Sequence, residues 1–271
     1  MENPVVIITG SSSGIGAATA RRLARNGYRI VLAARRLENL EIVAADVKRL
    51  GGEAFIIQTD LSVQKDIEIM VKSTIERFGR IDVLINNAGI SFHKGFLEMS
   101  LEEIENGVRV NLTAVMQCAR AVLPIMQAQG NGHIINVSSI AGLVATPNGG
   151  VYPGTKAGVV GFSDALRREL LNSGVHVSAF CPGFTPSEIS PSLKAHYDGN
   201  ADAFKFPGLM RLEYVADQVA WLIDHPRRIY VIPKSWRILV ELAYHMPWLA
   251  DMLIPYFSKK GSAKEKESIP Q

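Results

Sequence analysis

Val5-Val6-Ile7-Ile8-Thr9, followed by Gly10-Ser11-Ser12-Ser13-Gly14-Ile15-Gly16, is the stretch that decides the fold. An unbroken run of apolar and β-branched residues reads as a strand buried on both faces, the kind found in parallel sheets. The glycines that follow permit a tight turn and close approach of a ligand. Ala17 to Asn26 then reads as a helix. Strand, glycine-rich turn and helix in that order form a dinucleotide-binding start, because a helix N-terminus offers N–H groups and a favourable dipole to a pyrophosphate. The spacing here is G-x-x-x-G-x-G, not the commoner G-x-G-x-x-G.

Outward from that start the chain alternates strands and helices. Strands are predicted at Arg29–Ala34, Ala54–Gln58, Ile81–Asn86, His133–Ser138, Val175–Cys181 and Ile229–Ile232. Helices are predicted at Leu37–Leu50, Val63–Phe78, Leu101–Gln129, Pro153–Asn172 and Val215–Asp224. The pattern implies an α/β fold, a Rossmann-type doubly wound parallel sheet of about seven strands with helices on both faces. It spans residues 1–233 as a single domain, with the cofactor across the carboxyl ends of the strands.

Composition agrees and excludes other classes. A chain of 271 residues with 47% hydrophobic residues can bury one large α/β core. A formal charge of +3 without a basic block interleaved with aromatics gives no reason to expect nucleic acid. Cys118 and Cys181 lie far apart and read as small buried hydrophobes, not as a disulfide framework. The six histidines lack metal-ligand spacing, so no metal site is expected. The first strand starts by about residue 5, leaving no room for a secretory signal, and a cytoplasmic location is the default.

Tyr152 and Lys156 carry the chemistry. Four residues apart, they share one face if the chain is helical from residue 153 onward. An ammonium beside a phenol favours the phenolate, so the tyrosine pKa is expected to fall below its ordinary value of about 10. A phenol that gives or takes one proton near neutral pH suits a reaction that moves a hydride. Ser139 lies thirteen residues before the tyrosine.

With Thr9-Gly10-x-x-x-Gly14-Ile15-Gly16, Asn86-Asn87-Ala88-Gly89, Asn111, Ser139 and Tyr152-x-x-x-Lys156 in this order, the chain resembles the short-chain dehydrogenase/reductase family over roughly residues 4–190. The resemblance implies that Tyr152 protonates the substrate oxygen in reduction and takes the proton back in oxidation. Lys156 would lower the tyrosine pKa and hold the nicotinamide ribose. Ser139, with Ser138 as its alternate, would hydrogen-bond the substrate oxygen and stabilise its developing charge. Asn111 would anchor a water relay from the lysine.

The cofactor site implied by the resemblance comprises Gly10, Ser12, Ser13, Gly14, Ile15 and Gly16 in the turn, Asp60 and Leu61 at the adenine edge, and Asn87, Ala88 and Gly89 beside the adenosine. Tyr152, Lys156, Pro182, Gly183 and Ser187 complete it around the nicotinamide. Strand two ends in Ala34 where an acidic residue would select NAD, and Arg35 and Arg36 follow. A guanidinium can fork onto a 2′-phosphate, so NADP(H) is favoured over NAD(H), with Arg35 ahead of Arg36 because it is nearer the strand end. Ser13 stands where the family often has a second basic residue.

Two positions depart from the family. Pro153 follows the tyrosine and is tolerated in a first helical turn, so the helix is expected to begin there with Tyr152 at its boundary. Ser187 replaces a usual threonine. Residues 184–213 are expected to form a substrate lid, and Phe184, Ile189, Leu193, Tyr197, Phe204, Phe206, Leu209 and Met210 point to a lipophilic carbonyl or alcohol unless they pack on the protein itself. Residues 234–257 form an amphipathic helical extension broken by Pro247 and Pro255, and 258–271 a disordered lysine-rich tail. Three uses of the extension stay open: a cover for the pocket or core, a subunit contact, or a weak membrane-surface contact.

The function expected is NADP(H)-dependent hydride transfer to a lipophilic ketone or aldehyde, or from the matching secondary alcohol, in a homodimer or homotetramer of the kind the family forms. The alternative from another class is a dinucleotide-binding sensor or scaffold without turnover.

Overall fold

The computed structural model describes residues 3–92, 95–145, 150–185 and 209–252. Its centre is a seven-stranded, all-parallel sheet in the order β3-β2-β1-β4-β5-β6-β7. The strands are β1 Val5–Thr9, β2 Arg29–Ala34, β3 Glu53–Gln58, β4 Val83–Asn86, β5 Gly132–Val137, β6 Val175–Pro182 and β7 Ile229–Ile232. The helices between them are α1 Gly14–Ala24, α2 Leu37–Arg49, α3 Gln64–Phe78, α4 Leu101–Val108, α5 Ala114–Gln129, α6 Tyr152–Glu169 and α7 Leu212–Asp224, with α8 Trp236–His245 after the last strand. The doubly wound α/β fold anticipated from the alternation is the one present.

The apolar run of β1 serves both faces of the sheet. Val6 and Ile8 join Leu23 of α1 and Val215 and Val219 of α7 in one core, while Val5 and Ile7 join Met70 of α3 and Cys118 and Val122 of α5 in the other. All four β1 residues are fully buried, which explains why the strand shows no polar alternation. Each contributes about 1.5–3 kcal/mol of apolar burial. Because β1 lies between β2 and β4, strand order reverses at its carboxyl end, and a crevice opens there. The glycine-rich turn follows β1 and Asn87–Gly89 follows β4, so both reach that crevice.

The structure departs from the sequence reading at one instructive place. The helix expected over Leu101–Gln129 is interrupted by a π-helical turn at Arg109–Thr113, with Asn111 inside it. The Asn111 side chain holds Ile90 from both sides, accepting from its N–H and donating to its carbonyl at 2.8 Å each. An extra residue in the turn brings that amide round to the loop after β4. The helix carrying Tyr152 starts at the tyrosine itself, with Pro153 in its first turn. At the C-terminus, α8 and a further helical piece over 247–252 are separated at Met246, and no described helix is long and apolar enough to cross a membrane. Ile238, Leu239, Leu242, Trp248 and Met252 are exposed, while Trp236 meets Phe184 edge-on at 5.6 Å. Leu253, Pro255, Phe257, the tail 258–271 and the lid residues 186–208 lie outside the described residues.

His133, near the start of β5, is 4% exposed and hydrogen-bonds Ser178 through Nε2 at 2.8 Å. Burial first, with the neighbouring His176 adding to it, pushes its imidazole down to about 4 against the Ile223 carbonyl bond, which raises it. Unfolded, the ring takes a proton at about pH 6.5. Between those values the unfolded chain binds a proton that the native chain refuses, so stability is complete above about 6.5 and declines as pH falls towards 4. Urea unfolding at about pH 7 and about pH 4.5 should show the wild type losing about 2 kcal/mol more than His133→Gln, which keeps an acceptor for Ser178. Equal losses in the two proteins would remove His133 from the acid response.

Candidate active site

The turn after β1 is packed too tightly for side chains. A methyl on Gly10 would stand 2.7 Å from the Ala88 Cα, and one on Gly16 would stand 2.6 Å from Asn87 Nδ2 and from the Gly10 carbonyl oxygen. Gly10 and Gly14 also take the left-handed angles that glycine accepts, at φ 66° and 55°. Thr9 joins the two sides of the crevice. Its hydroxyl accepts from the N–H groups of Asn87 and Ala88 at 3.0 and 3.2 Å, while Asn87 Nδ2 donates to the Thr9 and Gly10 carbonyls. No acidic side chain occupies the first turn of α1 and no side chain caps it, so the positive dipole end is left for an anion. These features fit a dinucleotide pyrophosphate.

Ser12 and Ser13 do more than space the glycines. The Arg36 guanidinium donates to Ser12 Oγ at 3.1 Å and to Ser13 Oγ at 2.8 Å. Thus the arginine placed second by sequence is the one that reaches the turn. Arg35 lies at the other side of the strand end, where its carbonyl accepts from Gln58 Nε2 at 2.9 Å. Its charge also bears on Asp60. Burial opposes ionisation of that carboxyl, but bonds from the Ser62 N–H and hydroxyl, with Arg35, hold it below the usual carboxylate range. Asp60 Oδ1 receives both Ser62 bonds, and Leu61 packs on the second core.

The candidate catalytic groups gather at the carboxyl ends of β5 and β6. Ser139, two residues past β5, lies close enough to the Tyr152 phenol to pull its pKa down, and its Oγ accepts from the Ala141 N–H at 3.1 Å. Lys156, one turn along α6, places Nζ 5.6 Å from the Tyr152 ring centre and donates to the Val137 carbonyl at 2.9 Å. Gly89 admits both polar groups beside it: a methyl there would stand 3.2 Å from Asn111 Oδ1 and 3.5 Å from Lys156 Nζ. Asn111, Ser139, Tyr152 and Lys156 therefore come together, next to the turn that fits the cofactor. Pro182 and Gly183 end β6 beside them, with the Gly183 N–H donating to Ile232. Ser187 lies outside the described residues.

The electrostatics correct one expectation. The Tyr152 pKa is raised, not lowered: burial of the phenol outweighs the Ser139 hydrogen bond, and Cys181 adds to the rise. Lys156 does not reverse this because its ammonium is turned onto a carbonyl and is itself pushed down to about 8 by burial, with Cys181 opposing.

A family profile described as short chain dehydrogenase matches residues 4–198. The chain belongs to the short-chain dehydrogenase family. It is 35% identical over 238 residues to the 3-oxoacyl-[acyl-carrier-protein] reductase of Synechocystis sp., covering 86% of this chain and 94% of that protein. Among solved structures it resembles a variant of actinorhodin polyketide ketoreductase with NADPH, at 31% identity and TM-score 0.77, covering 85% of this chain and 95% of that one. It also resembles a short-chain dehydrogenase/reductase from Burkholderia phymatum in complex with NAD, at 27% identity and TM-score 0.81, over 92% of this chain and 95% of that one. This short-chain dehydrogenase is thus an oxidoreductase of Rossmann-like fold.

One residue beside the candidate site, Thr155, was not anticipated from the sequence. Thr155 accepts from Asn111 Nδ2 at 3.3 Å and donates to the Tyr152 carbonyl at 2.8 Å, a link visible only once 111 and 155 are neighbours in space. Ser138, the alternate to Ser139, is buried and donates to the Lys156 carbonyl at 2.8 Å. Asn111→Ala would leave the Ile90 N–H and carbonyl without their partners. The expected cost is roughly 2–4 kcal/mol in urea unfolding; a loss below about 0.5 kcal/mol would show that these bonds do not hold the loop.

Proposed function

We propose that this protein is an NADPH-dependent ketoreductase that reduces a lipophilic ketone or aldehyde with Tyr152 as the proton donor. The observation that carries the reading is the Ser139–Tyr152–Lys156 cluster, set one loop away from a glycine turn that leaves space for a pyrophosphate. When bound, the nicotinamide cofactor supplies the hydride. The chain's own residues then manage the oxygen that receives it. The Ser139 hydroxyl donates to the carbonyl oxygen and stabilises its growing negative charge. The Tyr152 phenol gives that oxygen its proton and becomes a phenolate beside the Lys156 ammonium.

The raised tyrosine pKa favours this direction, because a phenol that stays protonated at neutral pH is a loaded donor. Lys156, at about 8, keeps most of its charge at neutral pH to receive the phenolate. Arg36 with Ser12 and Ser13, and Arg35 alongside Asp60, form a basic corner for a 2′-phosphate. Phe184, where the segment after β6 leaves, is exposed and apolar, and the relatives similar to this chain are named as 3-oxoacyl and polyketide ketoreductases. A sensor that only bound the dinucleotide would have no use for a serine hydroxyl set beside a half-buried phenol and a buried lysine.

Tyr152→Phe should lower NADPH-dependent reduction of a ketone panel by about 10²–10⁴-fold, with NADPH affinity retained by fluorescence titration. Undiminished turnover in that variant would refute the mechanism. Arg35→Ala and Arg36→Ala should each weaken NADPH by about 10- to 100-fold while moving NADH little, as loss of charge-assisted bonds to the phosphate requires. Similar losses for both dinucleotides would overturn the phosphate assignment.

A further inference from the structure

The end of β5 and its connection to α6 meet Lys156 at three points, two of them on its backbone. Lys156 Nζ donates to the Val137 carbonyl at 2.9 Å. Ser138 Oγ, one residue on, donates to the Lys156 carbonyl at 2.8 Å. Gly142 then closes the short 3-10 turn Ile140–Gly142 directly against the helix. A methyl on Gly142 would stand 2.6 Å from the Lys156 carbonyl carbon, 2.7 Å from its oxygen and 2.9 Å from the Ala157 nitrogen. Those are backbone atoms of a helix, so they cannot swing aside as a side chain would. Real Cβ atoms do not sit this close, and any substituent must lift the turn off α6. Gly142 has no left-handed angle to explain it; contact alone excludes a side chain.

We propose that Ser138 and Gly142 are positioning residues that fix Ser139 against Tyr152 by clamping the β5–α6 connection to the Lys156 backbone. Ser139 sits between the two clamp points, and Tyr152 and Lys156 ride on the same first turn of α6. The clamp therefore sets the distance between a hydroxyl on one element and a phenol on another. Cys181, buried near the end of β6, lies close enough for Ser138, Lys156 and Ser139 to bear on its thiol. None of these contacts touches the glycine turn after β1, so the pyrophosphate end of the cofactor site is independent of the clamp. The assignment rests on the ketoreductase reading above, since it concerns the alignment of that reading's own hydroxyl and phenol.

The test is a double-mutant cycle on ketone reduction. Gly142→Ala should lower kcat by about 10- to 100-fold, the scale of an ångström-sized misalignment at a reacting centre. KM for the ketone and NADPH affinity should stay within about threefold, which marks an interaction made in the transition state. In a Ser139→Ala background, Gly142→Ala should cost almost nothing further, because the group it positions is already gone. Wild-type kcat in Gly142→Ala, or the full penalty repeated in the Ser139→Ala background, would overturn the clamp. If Gly142→Ala fails to fold, Ser138→Ala removes one bond without adding atoms and enters the same cycle with the same deciding outcomes and a smaller loss. Wild-type turnover in Ser139→Ala itself would sink the ketoreductase reading and the clamp with it, whereas repeated penalties sink only the clamp.

Discussion

Lys156 donates to the Val137 carbonyl while only 3% of the residue reaches solvent, and most of the candidate site is arranged around that buried amine. Removing an ammonium from water costs several kcal/mol unless polar partners replace the solvent. The partners here come from every element that ends nearby: the last carbonyl of β5, the glycine-lined loop after β4 and the aromatic face of Tyr152. Each can approach only because a neighbour is small. Gly89 leaves room for the amine beside Asn111, and Gly142 lets the turn after Ser139 lie on the lysine backbone. The chain's glycines in this region act less as flexible joints than as places where two polar backbones must touch.

That dependence explains the direction of the pKa shifts. At the level of sequence, two residues four apart suggest a cation beside a phenol, and the cation should ease deprotonation. In the folded protein both groups lose water together, and desolvation favours the neutral form of each: the phenol rises and the amine falls to about 8. The pair is consequently a neutral phenol beside a cation, and Ser139 is the neighbour that pulls the phenol the other way.

The fold was legible because its signal is local. Five buried residues of β1 and the repeated strand–helix alternation specify a parallel sheet without reference to any distant contact, and the strand bounds come within about two residues in most cases. The closeness of Tyr152 and Lys156 could likewise be read from spacing, since they need only a helix to bring them together. What the sequence could not disclose depends on contacts between segments far apart in the chain. Asn111 falls within what the sequence shows as one continuous helix, but the side chain in its π-helical turn is bonded to Ile90, twenty-one residues earlier. Ser138 looked like a spare hydroxyl until the Lys156 carbonyl was found in front of it.

The two arginines after β2 show the same limit at finer scale. Adjacent residues leaving a strand point in different directions, so nearness to the strand end cannot decide which guanidinium meets the glycine turn. Arg36, as the N-cap of α2, is carried back over Ser12 and Ser13, while Arg35 is left beside Asp60. The serines thereby acquire a meaning absent from the motif: they orient a cation that the turn itself lacks. A family member with a basic residue in the turn carries that charge directly, whereas here it is borrowed from the next helix and held by two hydroxyls. Phosphate recognition would then depend on α1 and α2 keeping their relative position, and the buried faces of both helices in the same core, Leu23 beside Leu40 and Val43, are what keep it.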